Sequence, residues 1–592
     1  MEPIIGIDLG TTNSVVAIVE NGVPRVIADP QTRESVLPSV VGIDPTGELL
    51  VGHPALNQAA LFPAMTVRSV KRKMGRDETI QLGDRSFSPP EISAIILGRL
   101  RQWAEAELGR PVTKAVITVP AYFDDGQREA TRLAGEMAGL SVMRIINEPT
   151  AAALVYDPDS DSAQKILVYD LGGGTFDVSI VAIESGVVEV LSTYGDTQLG
   201  GDDFDALISE TLVEATGGLK AAIRKDAAAM ARLSIAAEAA KRRLSFETFT
   251  KVNEEFLLAG EPNGNLETTL EREEYEAAIL PLLERTIGCV DSALSEASMH
   301  AAQLDKVILV GGSTRTPLVE QLLAKRLNHH PAAEVDPDLC VALGAAVQGA
   351  LLGGQNVSRV LVDITPHSLG IRCADSNNPY DDADKFAPII ARGSALPCKR
   401  SETFYTVSHG QTDVNVDVYQ GESSHVHDNH FVGRVCLSDL DPHTPADSPI
   451  AVTFMMNLSG MLEVRAIDRA SGKEAVASID RSAEGEDRPG WLTDGVDPLK
   501  AKIAGMLGRD LQVDAAIDAS DQTDADINPL SQKLAAIRAS IDRIGSSASD
   551  EDSTEIDALW TRLQDAASSG DNDAFDRDAK TLDDLLFYLN DA

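Results

Sequence analysis

The chain of 592 residues has few cysteines, few aromatic residues and no long hydrophobic run. Its five cysteines are scattered without CxxC spacing, which argues against a disulfide framework or a cysteine zinc site and suits a reducing compartment. No stretch approaches the roughly 20 apolar residues of a membrane-spanning helix, and the start, MEPIIGIDLG, has neither the basic segment nor the apolar length of a secretory signal. We therefore expect a cytoplasmic protein without a membrane segment.

Basic residues are also scarce: 51 Lys and Arg stand against 92 Asp and Glu, which gives a formal net charge of -41. A chain this acidic repels nucleic acids and anionic membranes, so we expect neither as a partner. Any phosphate group must therefore be bound by a local device, such as a glycine-rich turn whose amides point at the anion.

The hydrophobic pattern divides the chain into three regions, as expected for a length at which a single core no longer suffices. Up to about Gly354, short β-rich runs such as KILVYD and DKVILVGG alternate with helical patterns such as 227–244, which indicates an α/β domain. From about Thr365 to Asp480, the period-two runs TFYTV, DVNVDVYQ, IAVTFMM and LEVRAI predict an antiparallel β-sandwich. Helical periodicity after Asp494 predicts a small bundle.

Two glycine turns in the first region share one arrangement, an apolar strand followed by Asp-Leu-Gly, small polar residues and a second strand. In GIDLGTTNSVVAI the first strand ends at Asp8, and in YDLGGGTFDVSI it ends at Asp170. One such turn is ordinary between strands, but two opposed copies could clamp a triphosphate while Asp8 and Asp170 hold a hydrated magnesium ion. The weak repeat also predicts two related halves within the domain.

A third glycine turn, ILVGGSTRTP at residues 308–317, also follows a strand and would let the backbone approach a nucleoside closely. None of the three turns matches GxxxxGK[ST] or GxGxxG, so neither a P-loop nor a Rossmann site is favoured.

Several motifs, in this order along the chain, resemble the seventy-kilodalton heat-shock (DnaK-like) chaperones: GIDLGTTNS, VPAYF, IINEPTAAA, DLGGGTFD and VDITPHSLG. The resemblance implies an actin-like ATPase domain of two duplicated lobes at 1–356, an interdomain linker at 357–364, a β-sandwich that binds peptide at 365–485 and a short helical lid at 486–592. The brief lid and the stretch FAPIIARGSALP look most like the short HscC-type bacterial branch of that family.

The resemblance also implies ATP or ADP and Mg²⁺ as ligands, with K⁺ as a further candidate. The residues it places around the γ-phosphate, the attacking water and the metal are Asp8, Lys71, Glu148, Asp170, Thr175 and Asp177. Asp8, Asp170 and Glu148 would hold the magnesium ion, largely through water. The other nucleotide contacts it implies are Gly10, Thr11, Thr12, Asn13, Gly172, Gly173, Gly174, Gly200, Gly201, Asp202, Glu238, Lys241, Arg242, Ser245, Gly311, Gly312, Ser313 and Arg315.

Each of these residues has a plainer interpretation. Lys71 and Arg242 could be solvated charges, Glu148 a helix N-terminal carboxylate before a proline, and Ser245 a cap. No side chain in the set is a dedicated strong base, so slow hydrolysis that depends on positioning and charge is expected.

In the sandwich, the resemblance implies a peptide site of alternating apolar residues with two side chains arching over the peptide. The residues are Ile371, Phe404, Val414 and Val416 for the pocket, and Ala374 and Val407 for the arch. Each pocket residue could equally be sheet core. For communication between domains it points to Pro120 and Arg128, and for docking of a J-domain cochaperone to Arg144 with Asp363, although these charges could be surface ion pairs of little energetic value.

The expected function is that of an ATP-dependent chaperone that binds extended apolar peptides, with ATP binding and slow hydrolysis controlling release and capture. Its partners would be client peptides, a J-domain cochaperone and, as a candidate, a nucleotide exchange factor. The alternative is a nucleotide-dependent regulatory binder of one protein partner without general refolding activity. Two departures from the family pattern are Gln198, where many members have histidine, and SSHVHDNH, whose His425 and His427 would share a strand face. With His430 these could bind a metal, but an exposed loop of histidines is favoured.

Overall fold

The computed structural model describes residues 2–156, 163–258, 264–332, 336–355, 360–373, 385–478, 495–520, 559–560 and 562. The chain divides into two compact units, residues 1–510 and 511–592. Only the first unit is described over most of its length, and it contains both the α/β region and the sandwich. The helical periodicity beyond residue 520 lies almost wholly outside the described residues.

The first lobe of the α/β region is built on a mixed sheet. Its strands are β1 (Ile4–Asp8), β2 (Asn13–Glu20), β3 (Val23–Ile27), β4 (Leu37–Pro38), β5 (Val41–Ile43), β6 (Leu49–Val51), β7 (Thr66–Val67), β8 (Ile80–Leu82), β9 (Arg85–Phe87), β10 (Lys114–Val119) and β11 (Ser141–Asn147). Its helices are α1 (His53–Gln58), α2 (Pro89–Leu108), α3 (Asp125–Met137) and α4 (Glu148–Val155). The main sheet has the order β11-β10-β1-β2-β3, in which β1 pairs antiparallel with β2 and parallel with β10.

The second lobe repeats this plan. Its strands are β12 (Gln164–Leu171), β13 (Phe176–Glu184), β14 (Val187–Asp196), β15 (Phe249–Glu254), β16 (Leu266–Glu271) and β17 (Lys306–Val310). Its helices are α5 (Gly201–Ala215), α6 (Lys220–Ile223), α7 (Ala227–Leu244), α8 (Arg272–Glu296) and α9 (Pro317–Leu327). Helix α10 (Cys340–Leu352) follows them in the chain but packs on β1 and β2 of the first lobe. The main sheet has the order β17-β12-β13-β14, with β12 antiparallel to β13 and parallel to β17. The two lobes therefore have the related sheets that the sequence repeat predicts.

The two lobes meet where α4 and α10 cross at small residues. A Cβ atom on Gly344 of α10 would lie 1.8 Å from the carbonyl oxygen of Ala151 in α4, so only glycine allows this approach. The surrounding core contains residues of both sheets, such as Val15 and Val168. Because layers of helices cover these sheets, their strands are nearly continuous hydrophobic runs, as KILVYDL in β12 is.

The connector joins the second lobe as a strand. β18 (Val360–Val362) pairs parallel with β14, so part of the predicted linker extends the sheet of the α/β domain. The backbone then crosses to the sandwich, where the amide of Thr365 donates to the carbonyl of Ser394 at 3.0 Å.

The sandwich consists of two four-stranded antiparallel sheets around one apolar core. Its strands are β19 (Leu369–Cys373), β20 (Lys385–Ile390), β21 (Cys398–Tyr405), β22 (Val414–Gln420), β23 (His430–Leu437), β24 (Pro449–Met456), β25 (Leu462–Asp468) and β26 (Glu474–Ser478). The sheet orders are β20-β19-β22-β23 and β21-β24-β25-β26. In β25, Leu462, Val464 and Ala466 point into the core and alternate with more exposed residues, which is the period of two that predicts a strand.

Helix α11 (Val496–Ser520) follows the sandwich, and its first half packs on the first lobe. Ile503 and Leu507 are buried in the core of that lobe, and the ammonium of Lys502 donates to Glu91 of α2 at 2.6 Å. Among the described residues, no helix is both long enough and apolar enough to cross a membrane.

Candidate active site

A cavity of about 300 Å³ lies between the two lobes. Both lobes contribute to its wall. The lining residues are Asp8, Gly10, Thr11, Thr12, Asn13, Val36, Lys71, Glu148, Asp170, Gly172, Gly173, Thr175, Asp205, Glu238, Lys241, Arg242, Val310, Gly311, Gly312, Ser313, Arg315, Pro337, Asp338 and Val341.

The two glycine hairpins both line this cavity, and their tips are in direct contact. A Cβ atom on Gly173 would lie 1.9 Å from Oγ1 of Thr12, and one on Gly174 would lie 2.5 Å from Cγ2 of Thr11. Glycine is therefore required in the second hairpin because the tip of the first hairpin occupies the space of a side chain. The structure brings together the two turns whose pairing the sequence repeat predicts.

The loop 200–202 braces the second hairpin from behind. The amides of Gly201 and Asp202 donate to the carbonyls of Gly172 (3.0 Å) and Gly173 (2.7 Å). Gly200, Gly201, Asp202 and Gly174 do not line the cavity, so the structure places them as support for the hairpin.

The third glycine turn also closes against the second hairpin. Gly311 has φ +81°, and a Cβ atom there would lie 2.4 Å from the carbonyl oxygen of Leu171. The hydroxyl of Ser313 donates to the carbonyl of Gly172 at 2.8 Å. Both features bring the backbone of this turn, which begins a short 3₁₀ helix at Gly312–Arg315, to the edge of the cavity.

Four charged residues form one end of the cavity: Asp8, Lys71, Glu148 and Asp170. Lys71, from the 3₁₀ helix Val70–Lys73, donates its ammonium to Oε1 of Glu148 at the start of α4. Thr118 donates to Oδ1 of Asp8 at 2.9 Å. Lys71 and Glu148 are both buried, so the plainer interpretation of Lys71 as a solvated charge is wrong. Glu148 is the first residue of α4, as the plainer interpretation expects, and its side chain also lines the cavity.

Burial strongly perturbs these acids. Loss of solvation, followed by the negative charge of Glu148, raises the pKa of Asp8 to about 7 and raises the pKa of Asp170 well above its usual range. Crowded, poorly solvated carboxylates of this kind are the oxygen donors that fit a hard cation such as Mg²⁺. No group of three or more His, Cys, Asp or Glu side chains in the described part of the chain is placed to hold a metal ion by itself. Water would therefore complete the coordination.

Asp177 lies just outside the cavity wall. It is buried in β13 and accepts a hydrogen bond from the amide of Tyr122 at 3.1 Å. Loss of solvation, followed by the charge of Glu148, raises its pKa well above the usual range. Thr175, two residues earlier, does line the cavity.

The opposite end of the cavity is formed by α7 and the third glycine turn. Lys241 donates to the carbonyl of Gly201 at 3.0 Å and to Oδ2 of Asp205 at 2.7 Å. Arg242, whose side chain is 63% exposed, donates to Glu238 at 2.6 Å, so it is a largely solvated charge that also borders the cavity. Ser245 does not line the cavity. It is the C-cap of α7, which agrees with the alternative prediction that this serine is a helix cap.

Six lining residues are not among those implied by the sequence: Val36, Asp205, Val310, Pro337, Asp338 and Val341. Asp205 could have been found, because it lies in LGGDDFD, one helical turn after the loop that braces the hairpin. Asp338 accepts a hydrogen bond from Arg315 at 2.6 Å, but no motif marks it.

A chain of buried hydrogen bonds leads from the α/β domain to the connector. Arg128 donates to Oδ1 of Asn147 at 2.7 Å, and the side-chain amide of Asn147 donates through Nδ2 to both carboxylate oxygens of Asp363 at 3.0 and 3.1 Å. Pro120 stands at the end of β10, and its carbonyl accepts from the amide of Phe123. Arg128 also donates to the carbonyls of residues 121 and 123, which ties this turn to the chain of bonds.

Arg144 and Asp363 are buried, so the interpretation of them as surface ion pairs is wrong. Loss of solvation raises the pKa of Asp363, while the attraction of the two arginines, Arg128 and Arg144, acts in the opposite direction. A surface group that approached Asp363 would have to displace the sandwich or the connector.

The sandwich packs directly on the α/β domain next to this chain of bonds. A Cβ atom on Gly460, in the turn between β24 and β25, would lie 3.7 Å from Nη1 of Arg128. The amide of Ile145 donates to Oγ of Ser459 at 3.3 Å, and the amide of Asp125 donates to the Gln420 side chain at 3.4 Å.

The predicted peptide-site residues have different environments in the structure. Ile371 and Val416 belong to the sandwich core, and Phe404 and Val414 are half-buried against it, as the alternative of sheet core expects. Val407 is exposed, and Ala374 lies outside the described residues.

The histidines of SSHVHDNH do not share a strand face. A short 3₁₀ helix, Val426–Asp428, follows His425, so the expectation of one face for His425 and His427 is wrong. Their ring centroids are 5.7 Å apart, and His430 begins β23.

The comparison with protein families agrees with this architecture. A family model described as Hsp70 protein matches residues 4–590, nearly the whole chain. The match includes both lobes, the connector, the sandwich and the segment after it. The chain therefore belongs to the Hsp70 family.

Proposed function

We propose that the chain hydrolyses ATP to ADP and phosphate in the interlobe cavity and uses the nucleotide state to control peptide binding by the sandwich. Members of the Hsp70 family are ATP-dependent chaperones that bind ATP or ADP with Mg²⁺, client peptides and J-domain cochaperones. The observation that carries the proposal is the contact of two glycine hairpins, through Gly173 and Thr12, over a cavity with buried carboxylates at one end.

The chemistry assigned to this cavity relies on positioned charge. Backbone amides and hydroxyls of the two hairpins, including Thr11 and Thr175, would hold the phosphates. Asp8, Asp170 and Glu148 would hold Mg²⁺ largely through water, and the ion would supply positive charge to the phosphate oxygens. Lys71 is the cation held among those acids, where it would orient the attacking water and stabilise negative charge in the transition state.

The peptide-binding part of the proposal assigns two residues to an arch over an extended peptide, Val407 and Ala374, and four to the pocket beneath it, Ile371, Phe404, Val414 and Val416. Alternate side chains of an extended peptide suit such a pocket in a sheet. The buried path from Arg128 to Asp363 supports nucleotide control, because it starts in the α/β domain and ends at the connector to the sandwich.

Replacement of the predicted catalytic lysine tests the ATPase assignment. Lys71→Ala should lower the rate of ATP hydrolysis roughly 100-fold or more, while ATP binding persists because the glycine turns remain. Lys73→Ala is the matched control, because Lys73 lies on the same 3₁₀ helix and its ion pair, within the described part of the chain, is with Glu78 of the same lobe. Wild-type hydrolysis in Lys71→Ala would refute the assignment of this cavity.

Competition between unrelated peptides tests the chaperone assignment. A labelled extended apolar peptide bound in ADP should be displaced by unlabelled peptides of unrelated apolar sequence and released when ATP is added. If a single protein partner binds and unrelated peptides do not compete, the protein is instead a nucleotide-dependent regulatory binder of that partner.

A further inference from the structure

The 3₁₀ helix that carries Lys71 belongs to the first lobe, yet its next residue is bound to the second lobe. Arg72 donates Nε to the carbonyl of Gly174 at 2.9 Å, and donates Nη1 and Nη2 to the two carboxylate oxygens of Asp203, with Nη1–Oδ1 at 3.1 Å. Gln198 of the second lobe donates to the Arg72 carbonyl at 3.4 Å. One guanidinium thus uses three nitrogens to hold the opposite lobe.

The partners of Arg72 are the supports of the second phosphate hairpin. Gly174 is in that hairpin, and Asp203 also accepts the amide of Gly200 at 2.8 Å at the start of α5. Asp203 therefore fixes the loop that donates to Gly172 and Gly173. A change in the position of this hairpin is transmitted to Arg72 through both its backbone contact and its ion pair.

The backbone beside Lys71 is also held in an uncommon conformation. Ser69, which precedes the 3₁₀ helix, has φ +54°, in the left-handed region that non-glycine residues rarely adopt. The side chain of Ser69 faces Asp202 of the loop 200–202 closely enough to oppose the rise in the Asp202 pKa that burial causes. The turn therefore faces the second lobe at Ser69 and is bound to it at Arg72.

We propose that Arg72 is a positioning residue. It holds Lys71 in the place needed for hydrolysis only when the second glycine hairpin, at residues 170–177, contacts the first, at residues 8–14. This inference rests on the proposed ATPase function. Arg72 does not line the cavity, so it acts through Lys71 and the hairpin. If the lobes opened, the hydrogen bonds from Arg72 to Asp203 and Gly174 would break. The turn at Ser69 could then relax, and the Lys71 ammonium would move away from the end of the cavity that holds the phosphates.

The same segment carries a second interlobe contact, which makes it possible to compare a residue that positions Lys71 with one that only holds the lobes together. Arg68 pairs with Glu238 of α7 at the other end of the cavity, so its partner lies outside both the second hairpin and the loop 200–202. Loss of Arg68 should therefore loosen the lobes without moving Lys71, whereas loss of Arg72 should both loosen the lobes and displace Lys71.

Single-turnover hydrolysis of prebound ATP, measured with the full chain, tests the proposal. Arg72→Ala should lower the rate roughly 10- to 100-fold, as expected for a small misplacement of a catalytic group. Arg72→Lys should fail to restore it, because lysine cannot make the fork and the Gly174 contact together. Arg68→Ala should release labelled ADP faster with a hydrolysis rate within about twofold of wild type, and Lys73→Ala should change neither rate.

A double variant isolates the route of the effect. In a Lys71→Ala background, addition of Arg72→Ala should leave the residual rate unchanged, because the arginine acts through the lysine. The proposal is overturned if Arg72→Lys hydrolyses within twofold of wild type, or if Arg68→Ala lowers the rate as much as Arg72→Ala. Thermal unfolding of each variant identifies loss of fold, and Arg72→Lys decides the matter if Arg72→Ala does not fold. Absence of hydrolysis in the wild-type chain would instead refute the proposed function itself.

Discussion

Replacement of one arginine should uncouple the sandwich from the α/β domain. Arg392, in the turn after β20, donates to the carbonyl of Thr193 at 2.7 Å and to Glu296 at 3.2 Å. Its guanidinium carbon lies 3.7 Å from the ring centroid of Tyr194 and 5.7 Å from that of Tyr122. The side chain is 12% exposed, so these contacts are shielded from water.

The expected loss can be worked out from these contacts. A shielded cation–π contact contributes about 1–2 kcal/mol, and a hydrogen bond from a charged donor contributes about 1.5–3 kcal/mol. The ion pair with Glu296 adds little, because that carboxylate is partly solvated and can be hydrated again. Allowing for side-chain entropy recovered on undocking, Arg392→Ala should weaken docking by about 2–4 kcal/mol, which is a factor of about 30 to 1,000.

Energy transfer between one label on the α/β domain and one on the sandwich reports the docked fraction in ATP. We expect that Arg392→Ala lowers this fraction and slows ATP-induced peptide release, while hydrolysis without peptide continues. Arg400→Ala is the matched control, because Arg400 lies on the same sandwich and, among the described residues, donates to the carbonyl of the residue before it. An unchanged docked fraction in Arg392→Ala would refute the inference that these contacts hold the domains together.

Two further outcomes follow from single residues of the interface and the site. Loss of solvation, followed by the charge of Glu129, raises the pKa of Asp125 to about 7 in the docked form, against about 3.9 in water. The sandwich contributes to that burial, because Gln420 accepts a hydrogen bond from the Asp125 amide. Undocking should therefore lower this pKa, so docking should weaken as the pH rises towards about 7, and Asp125→Asn should flatten that dependence in the energy-transfer assay. Gly173→Ala places a Cβ atom 1.9 Å from Thr12 and should abolish ATP binding in calorimetry, whereas Gly218→Ala, with no atom within 4 Å, should bind ATP as wild type does.

Local pattern was sufficient for the type of most elements. The period of 3.6 in residues 227–244 corresponds to α7, whose bounds are Ala227–Leu244, because its alanine and leucine stripe covers the core of the second lobe. The hairpin around Asn457 to Gly460 joins β24 to β25 and has glycine with φ +73° where a tight turn needs it. In both cases the residues that decide the structure are neighbours in sequence.

The site was only partly within reach of the sequence. The two hairpins could be found because each is a continuous motif, and Asp8 and Asp170 stand at corresponding strand ends. The tie between Arg72 and Asp203 could not be found, because 131 residues separate the two side chains and nothing in the spacing of LGGDDFD indicates which distant residue Asp203 meets. Val341, at the start of α10, and Asp338, just before that helix, could not be found either, because the packing of α10 on the sheet of the first lobe brings them to the cavity.

The sequence by itself determined the order of the α/β domain and the sandwich, the duplicated hairpins and which residues are candidates for binding phosphate and metal. These depend on short-range spacing, strand and helix period, and glycine at places where a side chain would collide. Only the tertiary structure decided that Lys71 is held among acids, that Arg144 and Asp363 are buried and that the connector is a strand of the second lobe. Burial and pairing depend on which distant segments share a volume, and that is fixed by the packing of the whole unit.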